Sequence, residues 1–209
     1  MSSLKDKTVK GVIWSAVDRF SAQGIQFVFS ILIARLLVPE DYGVVAMLNI
    51  FLAVSQTFID SGFGNALIQR KEIDDVDTSS VFYLNIFVSL IIYCIVYLCS
   101  PLVSSFYDMP QLTNLLRVLA IQVLIMAFSC VQQSMLVRQM KFKFNFYIGM
   151  FSVVASSIVG VSMAYSGMGV WSIVFSQLVA QLCTCIGLWY FVSWRPKFLF
   201  SWDRIKSLF

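Results

Sequence analysis

FIDSGFGNALIQRK, from Phe58 to Lys71, is the stretch on which the reading of the whole chain turns. It closes a long apolar run with one carboxylate, two glycines and an asparagine, and then becomes charged. In a soluble protein this would be a loop ending a core helix. In a membrane protein it is a polar interruption inside a span, followed by the loop that leaves it. The neighbouring sequence separates the two readings.

Of the 209 residues, 59% are hydrophobic and 12% charged, and the mean hydropathy is +0.82. Soluble domains carry about 25% charged residues. A chain of this size cannot enclose so much apolar surface in its own core, so lipid is its solvent. It has no histidine, and so lacks the commonest general base and metal ligand. The five cysteines lie inside apolar runs without a CxxC pair and read as small buried residues.

A bilayer core of about 30 Å calls for roughly 20 apolar residues per helix. Six stretches meet that length, at about 12–37, 42–68, 79–103, 112–137, 146–165 and 170–192. The expected fold is therefore an all-α membrane protein, six transmembrane helices in one bundle, forming a single domain over 1–209. The polar start, MSSLKDKTVK, precedes an apolar run too long for a signal peptide. That run reads as a retained first span. Trp14, Tyr42, Tyr107, Tyr147, Trp171, Trp194 and Trp202 fall near span ends, as interfacial aromatics do.

Twelve of the fifteen Lys and Arg residues fall in the tails and loops on the N-terminal side of the membrane. The positive-inside rule then places both termini in the cytoplasm. The net charge of +4 is a topology signal rather than a mark of nucleic-acid binding, and the expected surroundings are the lipid bilayer.

Ionisable groups inside spans are costly and usually face a cavity or a partner. They are Asp18 and Arg19 in the first span, Asp60 in the second and Arg117 in the fourth. At 1.5 Å per residue, Arg19 lies about 10 Å deep and Asp60 about 13 Å deep on the adjacent antiparallel helix, so the two can pair. Gly62, Gly64 and Asn65 allow two readings. One is a close helix crossing at small residues; the other is a broken helix lining a polar path. Arg19, Gln23 and Gln26 share one helix face, as do Gln177 and Gln181. Each face reads either as interhelical hydrogen bonding or as the wall of a polar cavity. Asn49, Gln56, Asn85, Gln122, Gln132 and Gln133 also fall inside spans.

Catalytic signatures are absent: there is no Ser–His pair, no GxxxxGK[ST] loop and no HExxH. A non-enzymatic protein is expected, with no cofactor and no metal.

Four segments together carry a family resemblance. They are ARLLVPEDYGVVAM (34–47), FIDSGFGNALIQRK (58–71), SSVFYLN (79–85) and QQSMLVRQMKFK (132–143). In this order and spacing the chain resembles the N-terminal half of a Wzx-type polysaccharide flippase/exporter. The likeness is to the colanic-acid-exporter-like branch of the multidrug/oligosaccharidyl-lipid/polysaccharide exporter superfamily. The resemblance implies a two-lobe carrier that moves an undecaprenyl-diphosphate-linked oligosaccharide across the bacterial inner membrane by alternating access, for surface polysaccharide biosynthesis. It implies a cationic cavity, for which Arg19 is the first candidate and Arg117 the second. Gln23, Gln26 and Asp60 complete the expected substrate-binding set.

Family members run about twice as long, and the C-terminal WDRIKSLF resembles the approach to a seventh span. The chain is expected to be one lobe, completed by a missing C-terminal lobe or by a second copy. Two other functions fit the same residues. One is a drug or metabolite antiporter lobe, with Asp18 or Asp60 as the coupling carboxylate. The other is a non-transporting scaffold for a polysaccharide assembly complex.

Overall fold

The computed structural model describes residues 20–21, 23–60, 74–139 and 141–197. Asp18, Arg19, the Gly62–Asn65 segment, the Arg70–Lys71 loop and the aromatic C-terminal tail lie outside the described residues. Among the described residues all regular structure is α-helical. The helices are α1 (Gln23–Leu36), α2 (Pro39–Asp60), α3 (Asp75–Phe106), α4 (Gln111–Leu119), α5 (Ile121–Arg138), α6 (Phe142–Tyr165) and α7 (Val170–Phe191). Among the described residues, four helical segments, α3, α4–α5 together, α6 and α7, are long and apolar enough to cross a membrane. The chain is a multi-pass, all-helical membrane protein.

Helix starts follow local chemistry more than hydropathy. α2 begins at Pro39, three residues before the apolar run. Proline has no N–H, and the first turn of a helix has no acceptor for one. Glu40 and Asp41 then sit where the helix dipole favours negative charge. α3 begins at Asp75, inside what reads in sequence as a charged loop. Asp74 is its N-cap, and the Asp74 N–H donates to Asp77 Oδ2 at 3.3 Å, which closes one half of a capping box.

Two tight turns reverse the chain at the opposite end. After α3, Asp108 takes a left-handed φ of 53°, and the Met109 N–H reaches back to Ser104 O at 3.1 Å. After α6, Gly167 does the same at φ 75°, with the Met168 N–H donating to Met163 O at 3.2 Å. Both are Schellman stops; aspartate tolerates the left-handed region better than most side chains, and glycine needs no tolerance at all. Between α4 and α5, Ala120 keeps helical dihedrals, but the Val123 N–H donates to Ala120 O at 3.0 Å. This local i→i+3 bond divides one span into two helical pieces.

α3 is inverted relative to a soluble helix. Its buried positions include Ser79, Ser80, Asn85, Ser89, Ser100 and Ser104, whereas Phe87, Leu90, Ile95, Leu98 and Leu102 are exposed. Lipid accepts the apolar face, and the small hydroxyls bond to their own helix, as Ser89 Oγ does to Ile86 O at 2.8 Å. α6 and α7 approach through small residues. A Cβ on Gly160 would meet Ser176 Cβ at 3.0 Å, and one on Gly187 would meet Ile148 Cγ2 at 2.9 Å. Between those points Thr184 Oγ1 donates to Ser152 Oγ at 3.0 Å. Without a hydrophobic drive between helices in lipid, close packing of this kind holds the pair.

A leucine-rich core joins α2, α4 and α7 at the turn end through Leu48, Leu112, Leu115, Leu119 and Val174. At the other end Phe82 packs edge-on to Phe128, Trp189 and Trp194. There the segment after α7 folds back on the start of α3. The Lys197 N–H donates to Ser79 Oγ, its ammonium pairs with Asp75, and Arg195 caps α7 through Trp189 O and Val192 O. Arg138 at the end of α5, Lys141 between the helices and Lys143 in the first turn of α6 share this end. Arg35 is at the other.

Candidate functional site

Five side-chain amides converge on one cleft. Gln26 comes from α1, Asn49 and Gln56 from α2, Gln122 from α5 and Gln177 from α7; they surround a cavity of about 370 Å³. Asn49 and Gln56 are seven residues apart, two helical turns, so α2 presents both on one face. Gln122 follows the Ala120 break. A second hollow of about 240 Å³ shares Gln26 and Gln177 with the first and adds Ser30, Ser156, Ser157 and Ser176. The two form one polar path flanked by α1, α2, α5, α6 and α7.

None of these amides is hydrogen-bonded to another described side chain, and Gln122 Oε1 is buried without a partner among the described residues. Each amide offers two N–H donors and a carbonyl acceptor. A sugar hydroxyl both donates and accepts, so a wall of neutral amides matches a carbohydrate in either sense. The described lining carries no charge.

Two other span amides outside the cleft are engaged. Gln133 Nε2 donates to Asn145 Oδ1 at 3.1 Å, and Gln181 Nε2 approaches Ser129 Oγ at 3.5 Å. Asn85 and Gln132 are fully buried, with both amide atoms unpartnered among the described residues.

Of the residues expected from sequence to bind substrate, Gln26 lines both hollows. Gln23 is exposed one turn earlier on α1 and does not line them. Asp60 is the last residue of α2, four beyond Gln56; its side chain lies outside the described residues, as does all of Arg19.

Arg117 lies on the α3–α4 seam and lines neither hollow. Its position follows from Pro101, which lies inside α3. Proline gives Tyr97 O no N–H to accept; the Ser100 hydroxyl donates to that carbonyl at 2.8 Å. Ser100 Oγ in turn accepts from Arg117 Nε at 3.0 Å, and the guanidinium lies 4.2 Å from the centre of the Tyr97 ring. Sequence singled out Arg117 as an ionisable group at depth, but spacing alone does not show which neighbouring helix receives it. Asn49, Gln56, Gln122 and Gln177 are visible in sequence only as polar residues in apolar runs. Their convergence depends on helix packing.

Residues 32–209 match the family model described as polysaccharide biosynthesis protein. The succinoglycan biosynthesis transport protein ExoT of Rhizobium meliloti (strain 1021) is 27% identical over 203 residues, covering 97% of this chain and 41% of ExoT. The teichuronic acid biosynthesis protein TuaB of Bacillus subtilis (strain 168) is 29% identical over 211 residues, covering 100% of this chain and 44% of TuaB. The lipopolysaccharide biosynthesis protein WzxC of Escherichia coli (strain K12) is 27% identical over 143 residues, covering 68% of this chain and 29% of WzxC. The chain thus spans less than half the length of these relatives. No solved structure matches it significantly. With the family model covering all but the first 31 residues, this membrane chain belongs to the polysaccharide biosynthesis protein family.

Proposed function

We propose that the chain is one lobe of an exporter that moves a lipid-linked oligosaccharide across the membrane, with the sugar carried in the amide-lined cleft. The observation that carries this reading is the convergence of Gln26, Asn49, Gln56, Gln122 and Gln177 on one cavity within a membrane bundle. Family membership and the transport function in the name of ExoT support it.

In this mechanism the amides replace water around the sugar hydroxyls, each hydrogen bond contributing about 1 kcal/mol net. α2 separates the sugar from lipid, with Asn49 and Gln56 on the cleft side and Ile50 and Val54 in a groove on the other. Closing the cleft at one end while opening it at the other requires a second lobe or a second copy. Arg19, one face with Gln26, is the candidate for neutralising an undecaprenyl-linked diphosphate, and the antiparallel Asp60 is its candidate partner in the empty state. The basic end of the bundle faces the cytoplasm, and the bilayer is the bacterial inner membrane.

The test is the sidedness of the cargo. Cells lacking the protein are expected to accumulate the lipid-linked oligosaccharide in the cytoplasmic leaflet, where externally added glycosidase does not reach it. Restoring the protein is expected to return the oligosaccharide to the outer face. An unchanged leaflet distribution in the deleted strain contradicts the transport reading and favours a scaffold.

A further inference from the structure

The two hollows of the polar path differ in chemistry. Only Gln26 and Gln177 are common to both. The first is otherwise walled by amides. The second takes Phe29 and Ser30 from α1, Tyr42 from α2, Ser156 and Ser157 from α6 and Ser176 from α7. Tyr42 stands seven residues before Asn49 on α2, about 10 Å nearer the turn end.

The serines of the second hollow present acceptors. Ser30 Oγ donates to Phe27 O at 2.8 Å, Ser156 Oγ to Val153 O at 3.0 Å and Ser176 Oγ to Ile173 O at 2.8 Å. A hydroxyl has one proton and two lone pairs. With the proton held by the helix carbonyl, only the lone pairs are left to face a ligand.

The aromatic rings bias the hollow the same way. Among the described residues neither Phe29 nor Tyr42 stacks on another ring, and Tyr42 is 38% exposed. The face of such a ring is the negative part of its quadrupole. It attracts the C–H hydrogens on one side of a pyranose and repels an anion.

No cation offsets this. None of the lining residues is charged, and Arg35 and Arg117, towards this end of the bundle, do not line the hollow. The N-terminus of α7 is also at this end and could draw an anion. It already faces a carboxylate: both Asp41 oxygens lie 3.6 Å from where a Cβ on Gly169 would stand.

We infer that the second hollow is a subsite for one uncharged pyranose of the cargo, and that it discriminates against a sugar bearing a carboxylate or phosphate. Tyr42 lies against the C–H face of the ring, and the serines accept from its hydroxyls. The inference rests on the transport reading above, which supplies the cargo. The first hollow, whose amides donate as readily as they accept, carries no such bias.

The test uses the whole protein in opened membrane vesicles, with Ser156→Cys in a background lacking the five native cysteines. Ser156 lines the second hollow and not the first. Labelling at 156 by a small water-soluble thiol reagent is timed with methyl β-D-glucopyranoside or methyl β-D-glucopyranosiduronate. The two differ only in a carboxylate for a hydroxymethyl group. The neutral glycoside is expected to slow labelling about threefold at about twice its dissociation constant, since only the empty hollow reacts. The glucuronide at the same concentration should leave the rate unchanged. Tyr42→Leu should abolish protection by the neutral glycoside, and Tyr42→Phe, which keeps the ring, should lose less of it. The comparison of the two glycosides needs no change at Tyr42, so it decides the matter even if Tyr42→Leu does not fold. Equal slowing by both glycosides overturns the inference. So does a position 156 that does not label, labelling that neither glycoside slows, or protection undiminished by Tyr42→Leu. The leaflet assay fails separately. Absent protection with an altered leaflet distribution removes the subsite and leaves the transport reading; protection by the neutral glycoside alone with an unaltered distribution keeps a selective sugar site and removes export.

Discussion

Gln177→Leu is expected to lower polysaccharide export by about ten- to a hundredfold per molecule of protein in the membrane, through the loss of about 1–3 kcal/mol that follows when a hydrogen-bonding group is left unpaired. Gln177 is singled out because, with Gln26, it lines both hollows of the polar path. On the proposed function, a sugar passing from one hollow to the other meets it throughout. Leucine is one atom shorter but of comparable volume, is welcome in a membrane helix and removes both donor and acceptor. The amount of protein in the membrane should not fall, and an immunoblot serves to normalise the activity. Gln181→Leu, one turn further along α7, is the internal control. Gln181 lines neither hollow and holds only a long contact to Ser129, so export should stay near wild type. Equal losses in the two variants would show that helix packing, not the cleft, is what the measurement reads.

The second large effect is on stability. Gly187→Val is expected to destabilise the folded protein by about 1–3 kcal/mol, the usual cost of overpacking. Even the first carbon of a side chain at 187 would sit 2.9 Å from Ile148 Cγ2 and 3.0 Å from its Cγ1. Ile148 is itself buried beside Leu188 and Val192 and has little room to move. A lowered midpoint of thermal unfolding in detergent is the readout. Gly187→Val/Ile148→Ala should recover most of the loss, because the two sites touch and their effects are therefore coupled. No recovery would place the cause elsewhere on the helix.

The helices are legible in the sequence because lipid demands long apolar runs, and the runs from residue 75 to 191 carry that signal openly. Their ends are less so. Hydropathy starts α3 at about Ser79, whereas the cap at Asp74 starts it at Asp75. A charged residue in the first turn of a helix looks like loop to any hydropathy measure. The candidate site was legible as a set of residue types and not as a place. Polar residues inside apolar spans are conspicuous, yet a membrane helix is apolar on both its lipid face and its protein face. Periodicity therefore gives little guidance on which polar residues meet. Asn49 and Gln56 could be paired by spacing alone; their meeting with Gln122 and Gln177 depends on how α2 packs against α5 and α7. Arg117 shows the same limit. Its depth could be counted along the chain, but its partner is fixed by a carbonyl that Pro101 leaves open on a different helix.

The central claim is that α2 has one face on a polar path and the other on lipid. Single cysteines at Asn49, Ile50, Val54 and Gln56, in a background with the five native cysteines replaced, test it directly in intact membranes. With a small water-soluble thiol reagent, the account predicts labelling at 49 and 56 and protection at 50 and 54. Added oligosaccharide should slow the labelling at 56. Protection at all four positions, or labelling that ignores the helical face, would contradict a polar path through this bundle.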